Sequence, residues 1–214
     1  MIKAVIASNN KDKIREIKSI LGRGFKAVSM SEAGYNKEIK ETGRTLEENA
    51  LIKARTIRKR VKNTAVISDD SGLEVEYIAK APGVYSARFA GAGCTYEDNN
   101  KKLLKIMEGL PRKERKAEFV TVAAVILPDG TEKTVRGSVK GYITDKPAGG
   151  NGFGYDPVFL VPEHNRTYAQ MPQSLKNRIS HRKKAFEKAV GIIKKDAIRA
   201  ADMRKGKGLN RKNP

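Results

Sequence analysis

The sequence predicts an α/β protein built on a mixed β-sheet, and three observations predict it. Short apolar β-type runs alternate along the chain with amphipathic helical stretches, the order expected when strands and helices share one sheet. Two long β-type runs, 117–127 and 131–139, flank Pro128-Asp129-Gly130, a turn signal that makes them a hairpin and excludes an all-parallel sheet. The chain has 214 residues and 39% hydrophobic content, enough for one sizeable domain with a packed interior. That domain is expected over 1–195. The stretch 196–214 ends in a basic, glycine-containing, non-periodic run and is expected to be a flexible tail.

The elements follow in order. Ile2 to Ala7 has the pattern of a first strand. Lys11 to Leu21 reads as a helix, with Ile14, Ile17 and Leu21 at helical spacing and Gly22 placed to close it. Phe25 to Met30 reads as a second strand. Thr45 to Val61 is a longer helix: Thr45 and Glu48 have capping-box spacing, and Leu46, Ala50, Ala54 and Ile57 fall close to one face. Ala65 to Ile67 is a short buried strand that ends at Asp69 and Asp70, with Ser71-Gly72 as a turn and Leu73 to Tyr77 pairing beside it. Thr95 to Glu108 is a helix capped by Thr95 and ended by Gly109 and Pro111. After the hairpin, Gly149 to Gly154 forms a glycine-rich loop before a short strand, Val158 to Val161. A single helix from about Ser174 to Lys195 closes the domain, with Leu175, Ile179, Phe186, Val190 and Ile193 facing inward.

Composition narrows the function classes. No apolar run approaches the ~20 residues needed to span a bilayer. The N-terminus lacks a cleavable signal pattern and Cys94 is the only cysteine, so a cytoplasmic, reducing location is expected. The formal charge is +20. It favours either polyanionic small molecules or nucleic acid. Basic residues are spread along the chain, and 6% aromatics without tryptophan offer no dense stacking platform. Nucleic-acid contact through the basic tail stays open as a side role.

The chemistry-bearing motifs begin with Asp69 and Asp70. Two carboxylates after a strand suit Mg²⁺, which takes oxygen ligands and commonly uses one or two protein carboxylates plus substrate phosphates. A turn would explain one aspartate more easily than two. The run Ser8-Asn9-Asn10-Lys11-Asp12-Lys13 leads from a strand into a helix, where amides, hydroxyl and ammonium suit a phosphate; the alternative is an ordinary capped turn. Glu41, like Glu38, precedes a helix and is either a metal ligand or solvated. Gly152-Phe153-Gly154-Tyr155-Asp156 sets aromatics among glycines, so Phe153 either stacks on a base or folds into the core. Lys176, His181 and Arg182 cluster donors that could read base carbonyls or bind phosphate, or that form a polar helix face.

These residues carry a resemblance. SxNxxK at Ser8, Asn10 and Lys13, ETG…ENA from Glu41 to Ala50, SDDSGLEV, APGVYSARFAG, GGNGFGYDPVF and KNRISHR occur here in that order. The set resembles the inosine triphosphate pyrophosphatase family, from about Ser8 to about Arg182. The resemblance implies an elongated mixed α/β fold with two lobes around a central cleft, commonly a homodimer. It implies Mg²⁺-dependent hydrolysis of deaminated purine nucleoside triphosphates (ITP, dITP, XTP) to the monophosphate and pyrophosphate, which keeps them out of nucleic acids. It implies Ser8, Asn10 and Lys13 in the phosphate loop, with Asn9, Lys11 and Asp12 between them. Glu41 matches a metal-site acid, Asp70 the general base and metal contact, Asp69 a supporting acid, and Ser71 a substrate contact. Phe153, Gly154, Tyr155 and Asp156 match the base-binding loop, with Lys176, His181 and Arg182 as further nucleotide contacts. A related pyrophosphatase with another base preference, or a basic nucleic-acid-binding protein, is the alternative.

Overall fold

The structure, a computed structural model, describes residues 1–209, with side chains described through Met203. Its strands are β1 (Ile2–Ile6), β2 (Phe25–Ser29), β3 (Ala65–Val75), β4 (Lys116–Ile126), β5 (Glu132–Ile143), β6 (Phe159–Val161) and β7 (Arg166–Thr167). They form one sheet in the order β2-β1-β3-β4-β5-β6-β7. β1 lies parallel to both β2 and β3, and the remaining pairs are antiparallel, so the mixed sheet is borne out.

The helices are α1 (Lys11–Leu21), α2 (Leu46–Arg58), α3 (Tyr96–Ile106), α4 (Gln173–Ile179) and α5 (His181–Leu209). α1 and α5 cover one face of the β1 end of the sheet, packing Ile17, Leu21, Phe186 and Ile193 on Ile6, Ile67 and Val125. α2 covers the opposite face, setting Leu46, Ala50 and Ile57 on Val5, Val66 and Val122. A separate core gathers the far ends of β3, β4 and β5 with β6 and α3, around Leu73, Leu103, Phe119, Phe159 and Tyr168. The long β3 and β4 run through both regions and join them. Among the described residues no helix is long and apolar enough to cross a membrane.

Two local readings are corrected. The expected short strand and turn around Asp69 and Asp70 are one continuous strand, paired to β4 from Val66↔Ile126 to Val75↔Ala117. Gly72 is not a turn residue: a Cβ there would collide with the Gly83 carbonyl, so the glycine serves a close backbone approach within a strand. The segment docked against it is pinned by Ser86, whose hydroxyl accepts from the Leu73 N–H at 2.9 Å. The single final helix is broken at Ser180, which has extended backbone (ψ 154°), and its Oγ accepts from the Lys183 N–H at 3.1 Å. A serine cap inside an apolar-periodic stretch thus divides α4 from α5. α5 continues past position 195 to Leu209; the last part of the expected tail, 210–214, lies outside the described residues.

Candidate active site

A cavity of about 340 Å³ opens beyond the carboxyl end of β1, where β3 runs on past its shorter neighbour. Crevices at the carboxyl ends of parallel strands are the usual binding place in open α/β sheets. Because β1 stops there, side chains from both faces of β3 reach one space.

At one end lie Ser8, Asn9, Asn10 and Lys13. Asn10 caps α1: its Oδ1 accepts from the Asp12 and Lys13 N–H groups, both at 3.0 Å. The Asn10 N–H in turn donates to Ser8 Oγ at 3.2 Å. The capped turn and the phosphate-suited loop are therefore one feature. Lys11 and Asp12 are not among the lining residues; Lys11 is exposed and Asp12 pairs with Arg15 at 2.7 Å.

The acids of β3 are separated by strand alternation, which sends successive side chains to opposite faces. Asp70 faces α2. It accepts from Asn49 Nδ2 at 3.3 Å and pairs with Lys53 at 3.4 Å. Lys53 also pairs with Glu41 at 2.9 Å, so one buried ammonium bridges the two carboxylates. Burial, reinforced by Glu41 and Asp69 and opposed by Lys53 and Lys13, holds Asp70 above the usual aspartate range. Burial works against the Lys53 charge, but Asp70, Glu41 and Asp69 outweigh it and keep the lysine protonated.

Asp69 faces α1 and α5. It pairs with Lys13 at 3.2 Å and with Arg182 Nε at 3.5 Å, and its Oδ2 accepts from Ser71 Oγ at 3.2 Å. Burial disfavours its charge, but Lys13, Arg182 and Lys53 outweigh it and hold the carboxyl well below the usual range. It does not line the cavity beside Asp70 and Glu41. Among the described residues no three acids, histidines or cysteines converge as a closed metal cage.

The opposite end holds Phe153, Lys176, His181 and Arg182. Phe153 lines the cavity half-buried, with Lys176 Nζ 4.9 Å and the Arg182 guanidinium 5.6 Å from its ring centroid. Tyr155 also borders the cavity but is buried in the core, and its hydroxyl donates to the Ser86 carbonyl at 3.0 Å. The glycine-rich loop thus sets Phe153 at the cavity and packs Tyr155 into the core. Asp156 braces it: one carboxylate oxygen accepts from the Phe153 N–H at 2.8 Å and from Lys176 at 2.5 Å. Gly152, at φ +78°, sits where any Cβ would strike that carboxylate. His181 stacks on Phe119 at 4.3 Å. Burial, with Arg182 and Lys176 adding to it, keeps the imidazole neutral.

Sequence reasoning missed Lys53, Asn49 and Glu16. Glu16, buried on α1, pairs with Arg182 Nη1 and with Lys176 at 3.6 Å. Burial opposes its charge, but Arg182 and Lys176 pull the carboxyl below the usual range. The available signal was charge on an apolar face. Lys53 falls between Ala50, Ala54 and Ile57, and Glu16 lies next to Ile17, where a solvated residue has no place.

A mixed-sheet α/β fold with a capped polyphosphate-suited loop, a lysine-bridged acid pair and an aromatic donor pocket in one cavity defines a nucleotide-handling protein. Residues 4–192 match the Ham1 family, and the chain belongs to it. It is 50% identical over 196 residues to the dITP/XTP pyrophosphatase of Caldanaerobacter subterraneus subsp. tengcongensis, covering 91% of this chain and 98% of that one. It is 48% identical over 194 residues to the dITP/XTP pyrophosphatase of Bacillus licheniformis, covering 90% and 98%. The Ham1 protein of Staphylococcus aureus has the same fold, with a TM-score of 0.81 at 40% identity over 91% of this chain and 99% of that one.

Proposed function

We propose that this protein hydrolyses deaminated purine nucleoside triphosphates, ITP, dITP and XTP, to the monophosphate and pyrophosphate. The observation that carries the reading is the meeting of Lys13, the Glu41–Lys53–Asp70 cluster and Phe153 around one cavity. The names of the relatives point to the same reaction.

A triphosphate brings about four negative charges, and electrostatic stabilisation by fixed cations is the main device for moving a phosphoryl group. The cluster supplies Lys13, Lys53, Lys176 and Arg182, but Glu16, Glu41, Asp69, Asp70 and Asp156 stand against them. It has no positive surplus to offer a polyanion. Glu41 and Asp70 already share one cation between them, so the pair itself is short of positive charge. These residues fit Mg²⁺, which would supply the missing countercharge when held by Glu41 and Asp70.

The side chains divide the remaining work. Ser8, Asn9, Asn10 and Lys13 bind the polyphosphate, with the α1 amides behind them. Asp70 takes a proton from the attacking water as its oxygen bonds to the α-phosphorus. The bond from that phosphorus to the α–β bridging oxygen breaks, and pyrophosphate leaves. Phe153 stacks on the base while Arg182 and neutral His181 offer donors to its 6-oxo group. Adenine presents a donor at that position and leaves them unpaired, which a hydrogen-bonding site penalises strongly. The test is turnover of ITP, XTP, GTP and ATP with magnesium, with products identified. Pyrophosphate from ITP and XTP in large preference to ATP is expected; orthophosphate release, or ATP used equally well, contradicts the proposal.

A further inference from the structure

We propose that Asp69 is a positioning residue that couples occupancy of the phosphate end of the cavity to reading of the base. The proposal rests on the function stated above and goes beyond it by assigning a task to the acid that the cavity does not contain.

Ionic contacts link the two ends of the site in alternating sign. Lys13 pairs with Asp69 at 3.2 Å, Asp69 with Arg182 at 3.5 Å, Arg182 with Glu16, Glu16 with Lys176 at 3.6 Å, and Lys176 with Asp156 at 2.5 Å. Asp69 is the one member of this chain that touches both a phosphate-end cation and a base-end cation. Its side chain has no exposed surface, so its charge must be met by these neighbours. It is also not fully met: Oδ1 is buried without a hydrogen-bond partner.

The consequence follows from charge sharing. A polyphosphate that engages the Lys13 ammonium withdraws it from Asp69. The carboxylate then depends on Arg182, whose Nη1 is already held by Glu16 and whose Nη2 donates to Ser71 Oγ at 3.3 Å. A guanidinium held on every side loses less freedom when it bonds the base, so the second ligand meets a site already ordered. The coupling is reciprocal by linkage: a base bound to an Arg182 that stays anchored on Asp69 lowers the cost of parting Asp69 from Lys13 by the same factor, and so favours phosphate.

The experiment is calorimetric titration of the full chain with inosine, without and with saturating inorganic pyrophosphate and magnesium chloride, and the reverse titration. Pyrophosphate is expected to tighten inosine by roughly 5- to 100-fold in the wild type, the usual range for site-to-site coupling. Asp69→Asn is expected to bring that factor close to one. It is also expected to keep or tighten pyrophosphate binding alone, because Lys13 is released from its counter-ion; a merely structural role would weaken both ligands. A wild-type factor of one overturns the proposal without requiring any variant to fold, and so does an Asp69→Asn protein that keeps the factor. Absence of binding by both ligands overturns the underlying site reading instead, and the coupling with it.

Discussion

Lys53→Met removes a buried ammonium and keeps the volume of its stem. Lys53 lies 3.4 Å from Asp70 and 2.9 Å from Glu41. At an effective dielectric constant of about 20, a unit ion pair at such separations is worth roughly 5 kcal/mol before desolvation. The Glu41 side chain is 34% exposed, so solvent screening reduces its share toward the ~0–1 kcal/mol of surface pairs. The Asp70 side chain is only 10% exposed, and stripping one partner from a buried pair costs about 3–5 kcal/mol. A net loss of about 3–4 kcal/mol is expected, a fall in Tm of roughly 6–15 °C for a domain of this size. The assay is thermal unfolding of wild type and variant with and without magnesium chloride. Magnesium is expected to raise the Tm of the variant more than that of the wild type, because it replaces the lost charge between Glu41 and Asp70. A variant with wild-type Tm, or equal magnesium stabilisation of both proteins, refutes the bridging role.

Asp70→Asn is expected to cut ITP turnover by about 10²–10⁴-fold, the usual contribution of a general base. Its Tm is expected to stay close to wild type, since relief of a carboxyl that burial holds above its ordinary range offsets the loss of one partner by Lys53, which keeps Glu41; a large fall in Tm contradicts this. Glu16→Gln is expected to cost about 3–5 kcal/mol near neutral pH, read from urea midpoints. The folded carboxyl titrates below its ordinary value of 4.5, so its contribution is full above that value and fades as pH falls through the folded range. A cost that does not shrink in acid refutes the Arg182 and Lys176 pairing. Gly72→Ala forces β3 off the Gly83 carbonyl and is expected to cost about 1–3 kcal/mol and raise KM, since Ser86 on that segment lines the cavity; wild-type stability and KM would show that the approach is not tight.

Periodicity and capping made most of the fold legible. Lys11 to Leu21 is a helix with the expected bounds, and Thr45 and Thr95 cap the helices they were expected to cap. The part that failed was the centre. The polar run Ser68-Asp69-Asp70-Ser71-Gly72 has no strand propensity to show, yet β4 pairs with it residue for residue because each polar side chain meets a residue of another element: the Ala50 carbonyl, Lys13, Asn49 and Thr121 in turn. Tertiary contacts supplied what local preference lacked. The site was legible through the family resemblance, which singled out Lys13, Glu41, Asp70 and Phe153, all of which line the cavity, where residue type and spacing alone left the roles of Lys13, Glu41 and Phe153 open. It was illegible where a charge is paid for by burial against a distant residue, as with Lys53 and Glu16.

Strand alternation explains why two neighbouring aspartates persist in the middle of a buried strand. Odd positions of β3 face α1 and α5, as Ala65 and Ile67 do, and even positions face α2, as Val66 and Ser68 do. Asp69 and Asp70 therefore meet different helices and different cations, though their backbones are adjacent. One is pulled below the ordinary range by two neighbouring cations, and the other is lifted above it by burial beside a second acid. Environments that drive two carboxyls apart suit them to separate tasks: Asp69 is held ionised as a fixed counter-ion, and Asp70 is the acid to which the proposed function gives the role of base. Exchanging Asp70 with Ser71 would keep the composition but send both acids to the α1 and α5 face. Lys53 and Glu41 would then have no carboxylate opposite them, so the acid pair is a property of strand position rather than of acidic content.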